Sequence, residues 1–461
     1  MTDTHDTALE ARIDAHIAAN FDYWMEQLGR LCTQPSISAQ GLGIAECADL
    51  VATMLREQGL AAEVMATDGH PVVYGEGDGA NDRTMLFYLH YDVQPPEPLE
   101  LWDSPPFQLT KVADRYVARG VTDDKGHIIA RLAALAAVRD AYGGLPCKVK
   151  FIIEGEEEMG SPSIPAFIDR HQDKLAADAC VWEFGAVDFE GRPTQTLGMR
   201  GLLYVELWAQ TGTLDAHSGL GGSIFPNAAW RLVWALNSLK GPDERIRIPG
   251  FYDNVVAATP RDMEMLAGQP DESAELMETY GLHGFLKGMT GGVELRRAAV
   301  FEPTCTINGL NSGYQGVGPK TVLPAQAMAK VDFRLVPDQA PDEIAAKLRA
   351  HLDAEGFSDI EVRVLGGVRP ARVDPDHPFV TLTNQAALDV YGVAPVVEPL
   401  IGGSGPNYPF IHVLGLPVVS AGVGYPGGRA HAPNENIRTG DWLNGTRHTA
   451  RILSRFAQAT W

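Results

Sequence analysis

Cysteine is scarce in this sequence of 461 residues: there are five, Cys32, Cys47, Cys147, Cys180 and Cys305, with no C-x-x-C pair among them. Their odd number and scatter argue against a disulfide framework and a thiolate zinc site, and a reducing cytoplasm is the expected setting. Long apolar runs are missing as well; none approaches 18 residues, and the acidic start MTDTHDTALEARIDAH has no basic segment leading into an apolar one. Neither a membrane span nor an export signal is expected. Basic residues are outnumbered, 37 Lys plus Arg against 59 Asp plus Glu, for a formal net charge of -22. Such a surface repels phosphate backbones and anionic lipids, so nucleic acid and membrane are not expected partners.

The remaining composition, 45% hydrophobic and 21% charged, is that of an ordinary globular protein. The length exceeds one compact core and suits two lobes. Residues 8–31 and 44–59 read as helices, followed by short apolar runs at 84–89, 148–153 and 179–184, with a long helical stretch at 126–144. Strands alternating with helices predict an α/β lobe with a mostly parallel central sheet and helices on its faces. Beyond Arg200 the order changes to strand, helix, strand, helix, strand, which suits a smaller α+β lobe inserted into the first. Residues 366–378, rich in Gly and Pro, read as the linker back. The expected division is 1–201 and 373–461 for the large lobe and 202–372 for the insert. Residues 241–300 give no firm assignment.

Acidic and histidine residues fall just past the predicted strands. His90 and Asp92 follow the first run, Glu157 and Glu158 the second, and Glu183 lies at the end of the third. Asp123 and His431 come from loops after two further apolar segments. Side chains beyond the carboxyl ends of parallel strands converge on one crevice. Imidazole and carboxylate are the ligands that zinc accepts, and a second ion nearby needs a carboxylate able to reach both. The H-x-D spacing puts Asp92 within reach of the His90 ring, where it can fix the tautomer. A glutamate left over beside the ions can serve as a general base.

In its motifs and their order the chain resembles the dinuclear metallopeptidases that include carnosinase, aminoacylase, acetylornithine deacetylase and succinyl-diaminopimelate desuccinylase. HYDVQP (90–95), ARGVTDDKG (118–126), EGEEEMGS (154–161), RGLLYVEL (200–207), AHSG (216–219), GPKTVLP (318–324), FRLVP (333–337), GGSGP (402–406) and AHAPNE (430–435) carry the resemblance, which spans most of the chain. It implies a zinc-peptidase-like catalytic domain with an inserted ferredoxin-like lid that dimerises. It also implies that His90 and Glu183 bind one ion, Glu158 and His431 the other, and that Asp123 bridges them. Asp92 would orient His90, Glu157 would be the general base, and a cis peptide would join Asp123 to Asp124. In the lid, His217 would stabilise the oxyanion, in the neighbouring subunit's site, and Arg334 would grip a substrate carboxylate. Thr321, Gly403 and Ser404 match positions that contact substrate.

Two divalent ions, zinc or else manganese or cobalt, are thus the implied cofactors, and a homodimer is the implied assembly. The expected activity is hydrolysis of the amide bond in a small substrate with a free carboxylate, a dipeptide or an N-acyl amino acid. HYDVQPPEP and TDDKG favour the dipeptidase branch, whereas Glu183 stands where dipeptidases usually have Asp and the carboxypeptidase and deacylase branches usually have Glu. A biosynthetic deacetylase or desuccinylase and a non-catalytic amino-acid-binding relative are the alternatives.

Overall fold

The computed structural model describes residues 7–461, and within it the chain forms two compact units. One holds the described residues up to Leu197 together with Val373–Pro399 and Pro409–Trp461; the other holds Gly198–Arg372 and Leu400–Tyr408. Residues 400–408 therefore depart from the expectation that everything after 373 returns to the large lobe. Backbone pairing holds them in the inserted unit, where Ile401 N donates to Gly198 O at 3.0 Å and Arg200 N to Gly403 O at 3.0 Å.

The large unit is built on a six-stranded sheet in the order Ala61–Met65, Val72–Gly77, Lys148–Glu154, Thr84–His90, Ala179–Trp182 and Val418–Ser420. Val72–Gly77 alone runs against the other strands of this sheet. The central strand Thr84–His90 is buried at every position, which explains its unbroken apolar run in place of an alternating one. Phe87 stacks on Phe151 of the neighbouring strand at 4.9 Å between ring centroids.

Helix Lys125–Tyr142 is apolar around most of its circumference because other helices surround it, among them Thr7–Ala19, Phe21–Thr33 and Thr439–Phe456. Buried Lys125 donates to Leu31 O at 3.2 Å and to Gln34 O at 2.7 Å, placing a cation on the carbonyls at the C-terminal end of helix Phe21–Thr33. The first helical stretch, read from the sequence as continuous, breaks at Asn20. Its side-chain amide donates to His16 O at 2.8 Å and so competes for a helical carbonyl.

In the inserted unit four strands lie in the order Thr306–Ser312, Gln326–Leu335, Gly201–Gln210 and Glu361–Val368, all antiparallel. Helices Ala228–Leu239 and Pro341–Ala354 pack on the sheet, giving the β-α-β-β-α-β order of a ferredoxin-like lid. Leu203, Val205 and Leu207 alternate inward to meet Ala329, Val331 and Phe333 in its core. Gly366–Val368, read as linker, instead pairs with Leu202–Tyr204 and completes the last strand.

The segment 241–300 belongs to this unit and carries helices Pro260–Ala267, Ser273–Tyr280 and Gly292–Phe301. Thr259 and Asp262 form a capping box at the start of the first of these. Among the described residues no helix is long and apolar enough to cross a membrane.

Candidate metal and catalytic site

Strand direction decides where the acidic residues meet. Thr84–His90 lies between Lys148–Glu154 and Ala179–Trp182 and runs parallel to both, with His90 opposite Glu154. The three carboxyl ends are therefore side by side, and each delivers its polar residues to the same edge of the sheet. His90 ends the first strand, Glu157 and Glu158 sit in a 3-10 turn just past the second, and Glu183 follows the third.

Two groups of ligand atoms result. His90, Glu157 and Glu183 form one, and Asp123, Glu158 and His431 the other; within each, the ligand atoms lie within 4.8 Å of one another. Asp123 faces both histidines. Its Oδ1 is 3.0 Å from His90 Nε2 and its Oδ2 is 3.1 Å from His431 Nε2. Glu158 Oε2 is 2.9 Å from His431 Nε2, Glu183 Oε2 is 3.6 Å from His90 Nε2, and Glu157 Oε2 is 4.0 Å from that same nitrogen. The peptide joining Asp123 to Asp124 is cis.

Asp92, fully buried, binds three partners. Its Oδ1 is 3.3 Å from His90 Nδ1, and its two oxygens accept from Glu157 N at 3.2 Å and Glu158 N at 3.1 Å. The same carboxylate thus holds the imidazole and the turn that carries both glutamates. His90 Nδ1 is also 3.1 Å from Asp92 O.

The electrostatics leave a charge deficit. Burial, and next the repulsion from Glu157, push the Glu183 carboxyl well above the usual range. Burial is also the main cause that raises Glu157 to about 7, opposed by His90 and aided by Asp123 and Glu158. Burial works against the charged His90 ring, but hydrogen bonding to Asp123 and Asp92 outweighs it and moves the imidazole well above its ordinary value. His431 rises to about 10 through its bonds to Asp123 and Glu158. Glu183 Oε2 is buried without a hydrogen bond. Stacked carboxylates, two imidazoles as their cationic counterweight and an orphaned oxygen aimed among them fit a pair of divalent cations.

His431 is reached differently from the strand-end ligands. It lies in a loop where Arg429, His431 and Asn434 all have left-handed backbone, φ 55, 61 and 62 degrees. Such conformations in residues other than glycine are uncommon and gather at functional sites. Asn434 anchors the loop by accepting from Asp103 N at 2.9 Å and donating to Leu101 O at 3.0 Å. Sequence reading missed these supports, because an asparagine in a loop gives no sign of what it holds.

The inserted unit gathers the other predicted residues into two places. Ala216–His217 pairs with Val322–Leu323, and this brings His217 Nε2 within 3.4 Å of Thr321 Oγ1. His217 Nδ1 accepts from Gly219 N at 3.0 Å, so the neutral ring carries its proton on Nε2 and presents it as a donor. Elsewhere in that unit, Arg334 Nη1 donates to Ser404 Oγ at 2.8 Å, next to Gly403, whose carbonyl accepts from Arg200 N.

The model of peptidase family M20/M25/M40 matches residues 86–455. The human Beta-Ala-His dipeptidase is 27% identical over 84% of this chain and 78% of its own. The Cys-Gly metallodipeptidase dug1 of Schizosaccharomyces pombe is 27% identical over 92% of this chain and 94% of its own. Among solved structures, an M20 family metallo-carboxypeptidase from Sulfolobus solfataricus superposes with a TM-score of 0.89 at 36% identity, covering 95% of this chain and 99% of that one. With a family match over most of its length, including both ligand groups, the chain belongs to peptidase family M20/M25/M40.

Proposed function

We propose that the protein is a two-metal dipeptidase, hydrolysing the amide bond of small substrates that end in a free carboxylate. The single observation that carries this reading is Asp123, one carboxylate with an oxygen on each of the two histidines that anchor the ligand groups. His90 and Glu183 would hold one ion, Glu158 and His431 the other, and Asp123 would bridge. Zinc is the preferred ion for such donors, with manganese and cobalt as alternatives. Bound there, the ions supply Lewis acidity to the scissile carbonyl and make water acidic near neutral pH.

The chain's own residues do the rest. Glu157 takes a proton from the attacking water and delivers it to the leaving nitrogen. Asp92 keeps the His90 ring and the Glu157–Glu158 turn in register. His217 donates from Nε2 to the developing oxyanion, and Arg334, steadied by Ser404, binds the terminal carboxylate. Thr321 and Gly403 line these two places.

The names of the relatives support a substrate with a free carboxylate, since dipeptidases and carboxypeptidases both require one. Glu183 keeps the N-acyl amino acids as a second substrate class. A panel of dipeptides and N-acyl amino acids, assayed for amino-acid release by the metal-loaded protein, is expected to respond in its dipeptide half. Release from the N-acyl half alone would transfer the assignment to a deacylase. No release, with both ions shown to be bound, would leave the binding-only alternative.

We also propose a homodimer through the lid, in a reducing cytoplasm. Trp230, Val233 and Trp234 share one exposed face of helix Ala228–Leu239, and the edge strand Thr306–Ser312 exposes Ile307 and Leu310; a second copy would cover this apolar surface. The five cysteines are free and buried, as suits that compartment. His217→Ala is expected to lower kcat by about 10²–10³-fold with the fold retained, as for other oxyanion donors. Were His217 supplied across the dimer, mixing His217→Ala with Glu157→Gln chains would restore up to about a quarter of normal activity, because each mixed dimer has one intact site. No recovery in proven mixed dimers would place His217 in its own subunit's site.

A further inference from the structure

One buried ion pair next to the ligands has no part in the chemistry described above. Glu435 is fully buried and Arg119 is 1% exposed. Glu435 Oε2 accepts from Arg119 Nη1 at 2.7 Å and Gly120 N at 2.8 Å, while Oε1 accepts from Thr122 N at 2.8 Å and Asp123 N at 3.1 Å. Four donors thus converge on this carboxylate, and one of them is the backbone of the central ligand Asp123. The backbone carbonyl of Glu435 adds a fifth link by accepting from Ala118 N at 3.1 Å.

Arg119 extends the connection. Its Nη2 donates to Pro95 O at 3.3 Å, in the loop that leaves the strand ending at His90, and its guanidinium lies 5.4 Å from the Trp102 ring centroid. Glu435 itself stands four residues beyond His431, at the end of the loop with three left-handed residues. The pair therefore touches each of the three loops that carry His90 and Asp92, Asp123, and His431.

A buried ion pair is a poor way to gain stability alone, since apolar side chains of similar volume commonly do as well. What it does provide is direction. A carboxylate with all its acceptor positions filled fixes its neighbours to within a hydrogen bond's tolerance, whereas a greasy contact lets loops slide. The ligand groups need this, because Asp123 must keep one oxygen at 3.0 Å from His90 and the other at 3.1 Å from His431.

We propose that Arg119 and Glu435 are a positioning pair that sets Asp123 between His90 and His431 and thereby fixes both metal sites. This rests on the two-metal reading given above. Outer partners of metal ligands typically change metal affinity by about 10–100-fold when replaced, and an effect of that size is expected here.

The test is a competition titration of the metal-stripped full chain with Zn²⁺ against a chromophoric chelator, with thermal unfolding measured alongside. Glu435→Gln keeps the shape but sets an amide NH₂ against two of the four donors. It is expected to remain folded and to lose about 10–100-fold in affinity for at least one ion. Arg119→Lys leaves the three backbone donors to Glu435 in place and is expected to lose less. As a control, Asp262→Asn breaks the buried contact from Arg372 Nη2, 2.7 Å long, in the lid unit, and should lower thermal stability without changing metal affinity.

If the wild-type chain binds fewer than two ions, the two-metal reading fails whatever the variants do. If it binds two and the folded Glu435→Gln chain binds them equally well, the positioning role is overturned and the two-metal reading stands. Should Glu435→Gln fail to fold, Arg119→Lys decides by the same criterion. Failure of both to fold, or a matching loss of affinity in Asp262→Asn, assigns the pair to general stability and overturns the proposal.

Discussion

Replacing Glu157 by glutamine is expected to leave both ions bound and to lower kcat by about 10²–10⁴-fold, the usual contribution of a general base. The substitution is nearly isosteric, and the turn that carries it is held by backbone bonds to Asp92 that a side-chain amide does not disturb. Only the ability to take a proton is lost. Burial raises the Glu157 carboxyl to about 7, against the pull of His90, so in the metal-free protein its proton affinity is already near that of a base working at neutral pH. The measurement is kcat together with metal content per chain. Loss of one ion together with the rate would make Glu157 a ligand, in keeping with its place 4.0 Å from His90 Nε2. Near-normal turnover would remove it from the mechanism.

Stripping the metal is expected to abolish turnover, and adding back zinc or manganese to restore it. The affinity should also depend on pH, with a sign that the metal-free groups determine. His431 is raised to about 10 by Asp123 and Glu158, so at neutral pH its ring holds a proton that must leave before its nitrogen can bind an ion, and hydrogen bonding to Asp123 and Asp92 shifts His90 in the same direction. Burial, and next Glu157, raise the Glu183 carboxyl, which favours its protonated form in the same metal-free site. Binding therefore releases protons, and affinity rises with pH by about tenfold per unit for each proton displaced. Calorimetric titration in buffers of different ionisation enthalpy counts those protons directly. Binding without proton release between pH 6 and 8 would contradict a protonated His431.

The same groups affect the stability of the metal-free chain. A histidine whose folded pKa is raised stabilises the fold fully below its unfolded value and loses that contribution as pH climbs through the folded one. For His431 the window runs from about 6.5 up to about 10. The stripped protein should thus lose stability as the medium turns alkaline, a trend that bound metal masks by replacing those protons with ions.

Much of this is legible in the sequence. An unbroken apolar run such as 84–89 can only be a fully buried strand or part of a buried helix, and its length together with the polar break at His90 chose the strand. Ligands just past strand ends were visible because they are local: His90, Glu157, Glu158 and Glu183 lie within a few residues of the segments that position them. The order of motifs then pointed to the family, and the family model matches the greater part of the chain.

What stayed hidden is long-range. Glu435 and Arg119 each lie within a motif, AHAPNE and ARGVTDDKG, but they are 316 positions apart, and nothing in either motif announces that the two side chains pair. Residues 400–408, with GGSGP at their centre, read as a loop, and loop chemistry does not say which lobe a segment joins; their hydrogen bonds to Gly198 and Arg200 do that. Gly366 and Gly367 read as linker because glycine weakens a strand, yet strand pairing with Leu203 and Tyr204 outweighs that preference.

The sequence alone determined the chemistry on offer, two histidines among carboxylates at strand ends, because residue type and local periodicity suffice for it. The resemblance already implied that Asp123 joins the two ligand groups; only the tertiary structure decided how its oxygens divide between the histidines, which acid holds the loops, and where the lid begins and ends. Those outcomes depend on contacts between residues far apart in the chain, and contacts of that kind form only when the whole core closes.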